Sequence, residues 1–293
     1  MARQPLAALV LLVVVCPGWA MADLVLVEPG RATVVDFSAF TGAGFAPNPA
    51  PGQLDSNTWR VGGFTDGTLS YGGTGVTGDF ARGQSSGGVT SGGLYAFQVA
   101  TGDWALGVQA TGTDFNPGFV ELRIRNQMGL AAATWRVGYD LYCRNDQGRS
   151  SSWDVAYSLD GSSFVNLPEL RYTSPGAASA SPGFVSMPLE SSIAVSVPDQ
   201  GNLFLRWTSA DFAGTGSRDE FALDNISVSA TATPEPSTCV LASVATILFG
   251  TYHWRRKALA QRHRGGGEHG ANALVSEGRR FVCTARGTKN GDA

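Results

Sequence analysis

In residues 119–125, Val120, Leu122 and Ile124 fall on one side of an extended chain and Glu121, Arg123 and Arg125 on the other. A period of two held over seven residues is the signature of a half-buried strand in an antiparallel sheet. Shorter runs of the same kind recur at 32–37, 58–61, 94–99, 104–108, 134–142, 153–158, 164–167, 193–197, 202–207 and 221–228. Thr101-Gly102-Asp103 and Asp160-Gly161 supply turns between neighbouring runs, because the glycines accept the positive φ that tight turns need. About a dozen strands at this spacing, with no amphipathic helix among them, predict an all-β, antiparallel β-sandwich that is jelly-roll-like. No repeat of propeller or solenoid length is visible.

Three stretches do not fit strands. Pro47, Pro49 and Pro51 lack the N–H that a ladder requires, so residues 46–52 form a loop. Residues 62–93 are rich in Gly, Ser and Thr and read as a long loop, of the kind that is functional or mobile in a compact domain. Residues 174–183 are a flexible Ala/Ser/Pro loop.

Charge divides the chain in two. Between Asp23 and Thr233 there are 11 Arg, no Lys and 20 Asp and Glu, a net charge of −9. From Arg255 onward 9 Lys and Arg face 3 acids, a net charge of +6. The acidic part lacks the clustered cations that phosphate neutralisation needs, which excludes nucleic acid as a partner.

The ends of the chain explain the reversal. Arg3, the apolar run 6–15 and Ala20-Met21-Ala22 have the order of a secretory signal peptide. At the other end Pro234-Glu235-Pro236 is followed by an apolar run at 239–254 and then by Arg255-Arg256-Lys257. Basic residues directly after an apolar run are those the positive-inside rule retains in the cytoplasm. The chain thus divides into a signal peptide at 1–22, a β-sandwich ectodomain at 23–230 and a Pro-rich linker at 231–238. A single transmembrane helix at 239–254 and a basic, disordered tail at 255–293 follow.

Pro234, Glu235 and Pro236, the apolar run and the membrane stop Arg255, Arg256 and Lys257 together resemble the PEP-CTERM sorting signal of exopolysaccharide-producing bacteria. The resemblance implies export through the Sec pathway. It also implies recognition of the Pro-Glu-Pro motif by an exosortase, a membrane cysteine protease that cuts near it and releases or re-anchors the cargo at the cell surface. Such signals normally end a few residues after the basic cluster, whereas this chain continues to Ala293. The segments 92–97, 157–161 and 223–228 are similar to β-sandwich domains found as cargo in such proteins. In carbohydrate-binding jelly rolls an Asp on the last strand often helps hold a structural calcium. Carried onto this chain, that resemblance implies Ca2+ at Asp224 and Asn225 with Asp36, or Glu28, near the first strand, all hard oxygen ligands.

Catalysis is the least supported function. No His lies between Asp23 and Thr233, which excludes a Ser-His-Asp triad and leaves Cys143 as a small buried hydrophobe. A glycosidase needs two carboxylates across a cleft, and Asp219-Glu220 with Asp224 place neighbours on opposite faces or in a loop. Two non-enzymatic functions remain: a structural or matrix-associated surface protein, and a module that binds extracellular polysaccharide. For the second, Trp59, Tyr71, Trp104, Trp135, Trp153 and Trp207 are the aromatics available to stack on sugars, and Trp104, beside a turn, is the best placed. Two or more tryptophans in an exposed patch would favour sugar binding, and burial of all of them the structural role.

Overall fold

The structure is a computed structural model that describes residues 24–232 and 238–264. In chain order the strands are β1 (Leu24–Leu26), β2 (Thr33–Val35), β3 (Phe45–Ala46), β4 (Leu54–Asp55), β5 (Trp59–Phe64) and β6 (Gly67–Leu69). Then come β7 (Gln84–Ser85), β8 (Gly93–Ala100), β9 (Asp103–Gln109), β10 (Gly118–Asn126), β11 (Ala132–Arg144) and β12 (Arg149–Ser158). The last are β13 (Val165–Asn166), β14 (Tyr172–Thr173), β15 (Phe184–Val197), β16 (Asn202–Gly214) and β17 (Glu220–Ala232), followed by one helix, α1 (Thr238–Arg264).

The strands form two main sheets. Sheet I runs β13-β12-β16-β10-β5-β6, with β1 beside β10 and β14 beside β12; sheet II runs β15-β11-β17-β9-β8-β7, with β2 beside β17. The long strands β9, β10, β11 and β12 alternate between the sheets, as do β15, β16 and β17, so the two layers are woven together. Their inner residues merge in one core, to which sheet I contributes Trp59, Val120, Leu122, Ile124, Trp153 and Trp207, and sheet II Leu106, Trp135, Leu141, Phe221 and Ile226. This is the β-sandwich that the alternating runs predict. One expectation needs correction, since pairing is not wholly antiparallel: β1 with β10, β7 with β8 and β3 with β4 run parallel. All three involve a strand of only two or three residues.

The strand expected at 32–37 is β2, and it meets the last strand, with Val35 opposite Ile226 of β17, whereas β1 pairs with β10. Strand β15 carries Pro188, which is tolerated because β15 lies at the edge of its sheet and bonds only to β11. Residues 62–93 are more ordered than expected. The amide of Asp66 donates to Asp79 Oδ2 (2.9 Å) and that of Asp79 returns a bond to Asp66 Oδ2 (2.8 Å). Arg82 then ties Asp79 to the Gly92 carbonyl, so the glycine-rich stretch is pinned at three points.

Contacts split the chain into a β-unit ending at Thr233 and a second unit from Pro234. The helix of the second unit covers the expected membrane segment, but no helix among the described residues is long and apolar enough to cross a membrane. The reason is local: Gly250, Thr251, Tyr252 and His253 close the apolar run before it reaches bilayer length. The helix also continues through Arg255, Arg256 and Lys257, all exposed, to Arg264, so the first part of the predicted tail is helical. The signal peptide and the Pro234-Glu235-Pro236 motif lie outside the described residues.

Candidate functional site

The outer face of sheet I is where chemistry-bearing side chains gather. Strand β10 sits between β5 and β16, and its register places Arg60, Glu121 and Arg206 in one row across three strands. The next row holds Arg123 of β10 opposite Phe204 of β16. On the other side, Phe119 lies opposite Gly62. A Cβ at Gly62 would come within 2.7 Å of the Phe119 ring, so the missing side chain is what lets that ring lie flat on the sheet.

Glu121 is fully buried although it points away from the core. Arg206 grips its Oε2 through Nε at 2.7 Å and through a terminal nitrogen at 2.5 Å. The Tyr71 hydroxyl donates to Oε1 at 3.0 Å, and Arg60 stands 3.7 Å from the same oxygen. Burial, and then the Glu121 charge, hold the Tyr71 phenol well above its ordinary range, so it serves as a donor.

Two loops fold onto this face and bring aromatics with them. Tyr71, after β6, lies over the Arg123 guanidinium at 4.9 Å and against Phe204 at 6.0 Å. Phe164, between β12 and β13, lies with its ring 3.6 Å from the Arg206 guanidinium, and the Phe119 ring lies 4.5 Å from the same group. The Phe164 loop is held by Asp160, which accepts from the amides of Ser162 and Ser163, both at 2.8 Å. Phe119, Phe164, Phe204 and Tyr71 are each half-buried, so a ring edge or face of each stays accessible. The arrangement is a shallow platform of rings and guanidiniums over a buried carboxylate.

Of the aromatics named from sequence, Tyr71 is on this platform. Trp59, Trp135, Trp153 and Trp207 are core, and Trp104 is partly buried and packs against the core. The tryptophan criterion therefore points away from sugar binding, and the rings that do gather outside the core are Phe and Tyr. The signal is present in the alternation: the outward positions of 58–61, 119–125 and 202–207 include Arg60, Phe119, Glu121, Arg123, Phe204 and Arg206. Only the cross-strand register, which is non-local, shows that they adjoin.

The predicted calcium residues are partly assembled. Asp224 is buried, accepts from the Phe37 amide at 3.4 Å, and is pushed up to about 6 by burial and then by the charges of Asp103 and Asp36. Asn225 takes a different direction. A register shift opposite β11 makes a bulge, Asn225 adopts φ +50°, and its amide donates to Asp140 Oδ2 at 2.9 Å. Glu28 pairs instead with Arg31 on the surface. Among the described residues no three His, Cys, Asp or Glu side chains are grouped to hold a metal ion.

Cys143 is buried and its thiol is pushed up to about 12, chiefly by burial, which keeps it protonated and unreactive. Asp219 and Glu220 turn apart, the first to the Gln147 amide and the second to the amides of Gly88 and Val89.

No protein-family model matches the chain, and no curated protein matches it. Among solved structures, the K1 cleaved adhesin domain of Lys-gingipain from Porphyromonas gingivalis is 13% identical, over 69% of this chain and 100% of that one, with a TM-score of 0.36. The CBM22-1 xylan-binding domain from Paenibacillus barcinonensis Xyn10C is 10% identical, over 71% and 99%, with a TM-score of 0.33. A carbohydrate-binding module specific for non-crystalline cellulose, CBM28, is 12% identical, over 49% and 84%, with a TM-score of 0.29. Scores this low do not establish a shared topology.

Proposed function

We propose that the β-sandwich is a non-enzymatic module that binds extracellular polysaccharide on the outer face of sheet I. The observation that carries this reading is the platform of Tyr71, Phe119, Phe164 and Phe204 with Arg60, Arg123 and Arg206. Aromatic faces pack against the C–H faces of pyranose rings, and guanidinium forks donate to ring hydroxyls and carboxylates. A shallow face suits a polymer lying along it better than a small molecule, which favours an enclosed pocket. Arg206 is pre-ordered by its bonds to Glu121 and by contact with the Phe119 and Phe164 rings, so little side-chain freedom is lost when a sugar docks.

Phe164→Ala is the sharpest test, because Phe164 belongs to a loop and not to the core. On a polysaccharide affinity gel the full chain should be retarded and the variant should bind on the order of tenfold more weakly, about 1.4 kcal/mol. Its melting temperature should stay close to that of the parent. Equal retention of parent and variant would place binding elsewhere. No retention on any acidic or neutral polysaccharide would leave the structural, matrix-associated role.

The delivery of this module belongs to the same proposal. The signal peptide, the Pro-Glu-Pro motif, the apolar start of α1 and the exposed Arg255, Arg256 and Lys257 are the parts of an exosortase-sorted protein. Replacing Pro234, Glu235 and Pro236 by alanine in a host carrying the protease should leave an unprocessed precursor in the membrane fraction, read by immunoblot. Normal processing of that variant would remove the motif from the mechanism.

A further inference from the structure

Four of the buried side-chain atoms that lack a hydrogen-bond partner fall at one end of the sandwich: Asn145 Oδ1, Asp146 Oδ1, Ser151 Oγ and Asp219 Oδ2. Three of them are acceptors only, and all three sit where the β11–β12 loop meets the start of β17. Asp219 is fully buried, and the Gln147 amide donates to its Oδ1 at 3.1 Å, which seats the carboxylate under the loop that carries the other two. The other carboxylate oxygen, Oδ2, has no hydrogen-bond partner. Asn145 donates through Nδ2 to the Ala177 carbonyl at 2.9 Å, which fixes its amide so that Oδ1 turns to the opposite side. Asp146 uses Oδ2 on Arg144 Nε at 3.2 Å and leaves Oδ1.

The local charge does not balance. Asp146, Asp219 and Glu220 bring three carboxyl groups together, with side chains 11%, 0% and 1% exposed, and Arg144 is the guanidinium among them. The next two along, Arg149 and Arg218, are both held on Asp211. A cluster of carboxyl groups this dry favours something cationic joining it. Water could satisfy orphan acceptors one pair at a time but would bring no charge.

We propose that Asp146, Asp219 and Asn145 bind one divalent cation, with Ca2+ the chemical fit. The three ligands are hard oxygens, and Ca2+ accepts an irregular set completed by backbone carbonyls and water; Cys143, which lines the same cleft as Asn145, is a soft donor that Ca2+ does not use. Two carboxylates are enough for such a site, which is why no triad of acidic side chains marks it. Asn145 also lines an open cleft of about 400 Å³ with Tyr172, Ser179 and Ser181, which gives the ion a route from solvent. The bound ion would tie the β11–β12 loop to the first residue before β17 and so lock one end of the two sheets together. This site is separate from the one expected at Asp36 and Asp224.

The full chain, stripped with chelator, should take up Ca2+ by isothermal titration calorimetry. Ca2+ at a hundredfold excess over its dissociation constant should raise the melting temperature by about 5–10 °C, with Mg2+ doing less. Asp146→Asn should remove one equivalent of bound calcium, and Asp224→Asn should not remove that equivalent. Asp219→Asn should match Asp146→Asn; if that buried variant fails to fold, the part-exposed Asp146→Asn decides alone. Absence of calcium uptake by the parent, or unchanged stoichiometry in Asp146→Asn, overturns the proposal. So does a chelated Asp146→Asn protein that equals the calcium-loaded parent in stability, since relief of like-charge repulsion would then account for everything.

Discussion

Glu121→Ala is expected to destabilise the β-sandwich by about 3–5 kcal/mol, the cost of removing one partner from a buried ion pair. The carboxylate is fully buried at the middle of sheet I and holds two guanidiniums and a phenol in place. Without it Arg206 would stay against Phe119 and Phe164 with no counter-charge, and the Tyr71 hydroxyl would lose its acceptor. Relaxation of the two arginines, 30% and 23% exposed, toward water pulls the value to the lower end of that range. Glu121→Gln keeps an acceptor oxygen and should cost about half as much. Arg60→Ala should cost under about 1 kcal/mol, because its 3.7 Å pair is part-exposed and loosely placed. Urea unfolding of the three variants reads this order directly, and a shift of midpoint at constant slope identifies a change in the folded state. A Glu121→Ala protein within 1 kcal/mol of the parent would mean that the carboxylate is not the anchor of the platform.

The same cluster shows what a one-dimensional reading can and cannot find. The alternation at 119–125 places Glu121 outward, and that is correct, but outward residues on a half-buried strand are ordinarily solvated. Its burial arises from Arg60 and Arg206, which the register brings alongside from far away in sequence, and from a tyrosine in a loop. Long strands with a clean period were legible: those at β8, β9, β10, β11 and β17 match the expected runs to within a few residues. Strand β15 was only half visible, because Pro188 and the scattered polar residues of an edge strand hide its period. Strands of two or three residues, such as β3, β6 and β7, carry no period at all. The glycine-rich stretch looked like a free loop because its restraint comes from reciprocal aspartate–amide bonds, which composition does not reveal. The proposed cation ligands share that difficulty, since Asp146 and Asp219 belong to different strands' ends and meet only through the fold.

Trp153→Ala should cost about 3–5 kcal/mol, and Trp153→Phe much less, about 1–1.5 kcal/mol. Trp153 belongs to β12 in sheet I and lies fully buried with its ring 5.2 Å from Phe221 of β17 in sheet II. On its other side Phe115 is stacked at 6.2 Å, so three rings bridge the layers. Truncation to alanine opens a cavity that two sheets, each tied by its own ladders, cannot close by local collapse. Phenylalanine keeps both stacks and loses one ring's worth of volume. It also removes the indole N–H, which is buried without an acceptor, so the smaller residue gives up no hydrogen bond and sheds a desolvated donor. That asymmetry separates Trp153 from an indole whose N–H is bonded, where phenylalanine would cost more. Trp104→Ala, at a position only partly buried, should fall well below Trp153→Ala. The three variants are to be compared by chemical denaturation of the full chain at one calcium concentration, so that cation uptake does not enter the difference. If Trp153→Ala lost less than 1 kcal/mol, or no more than Trp104→Ala, the three-ring stack could not be what holds sheet I against sheet II.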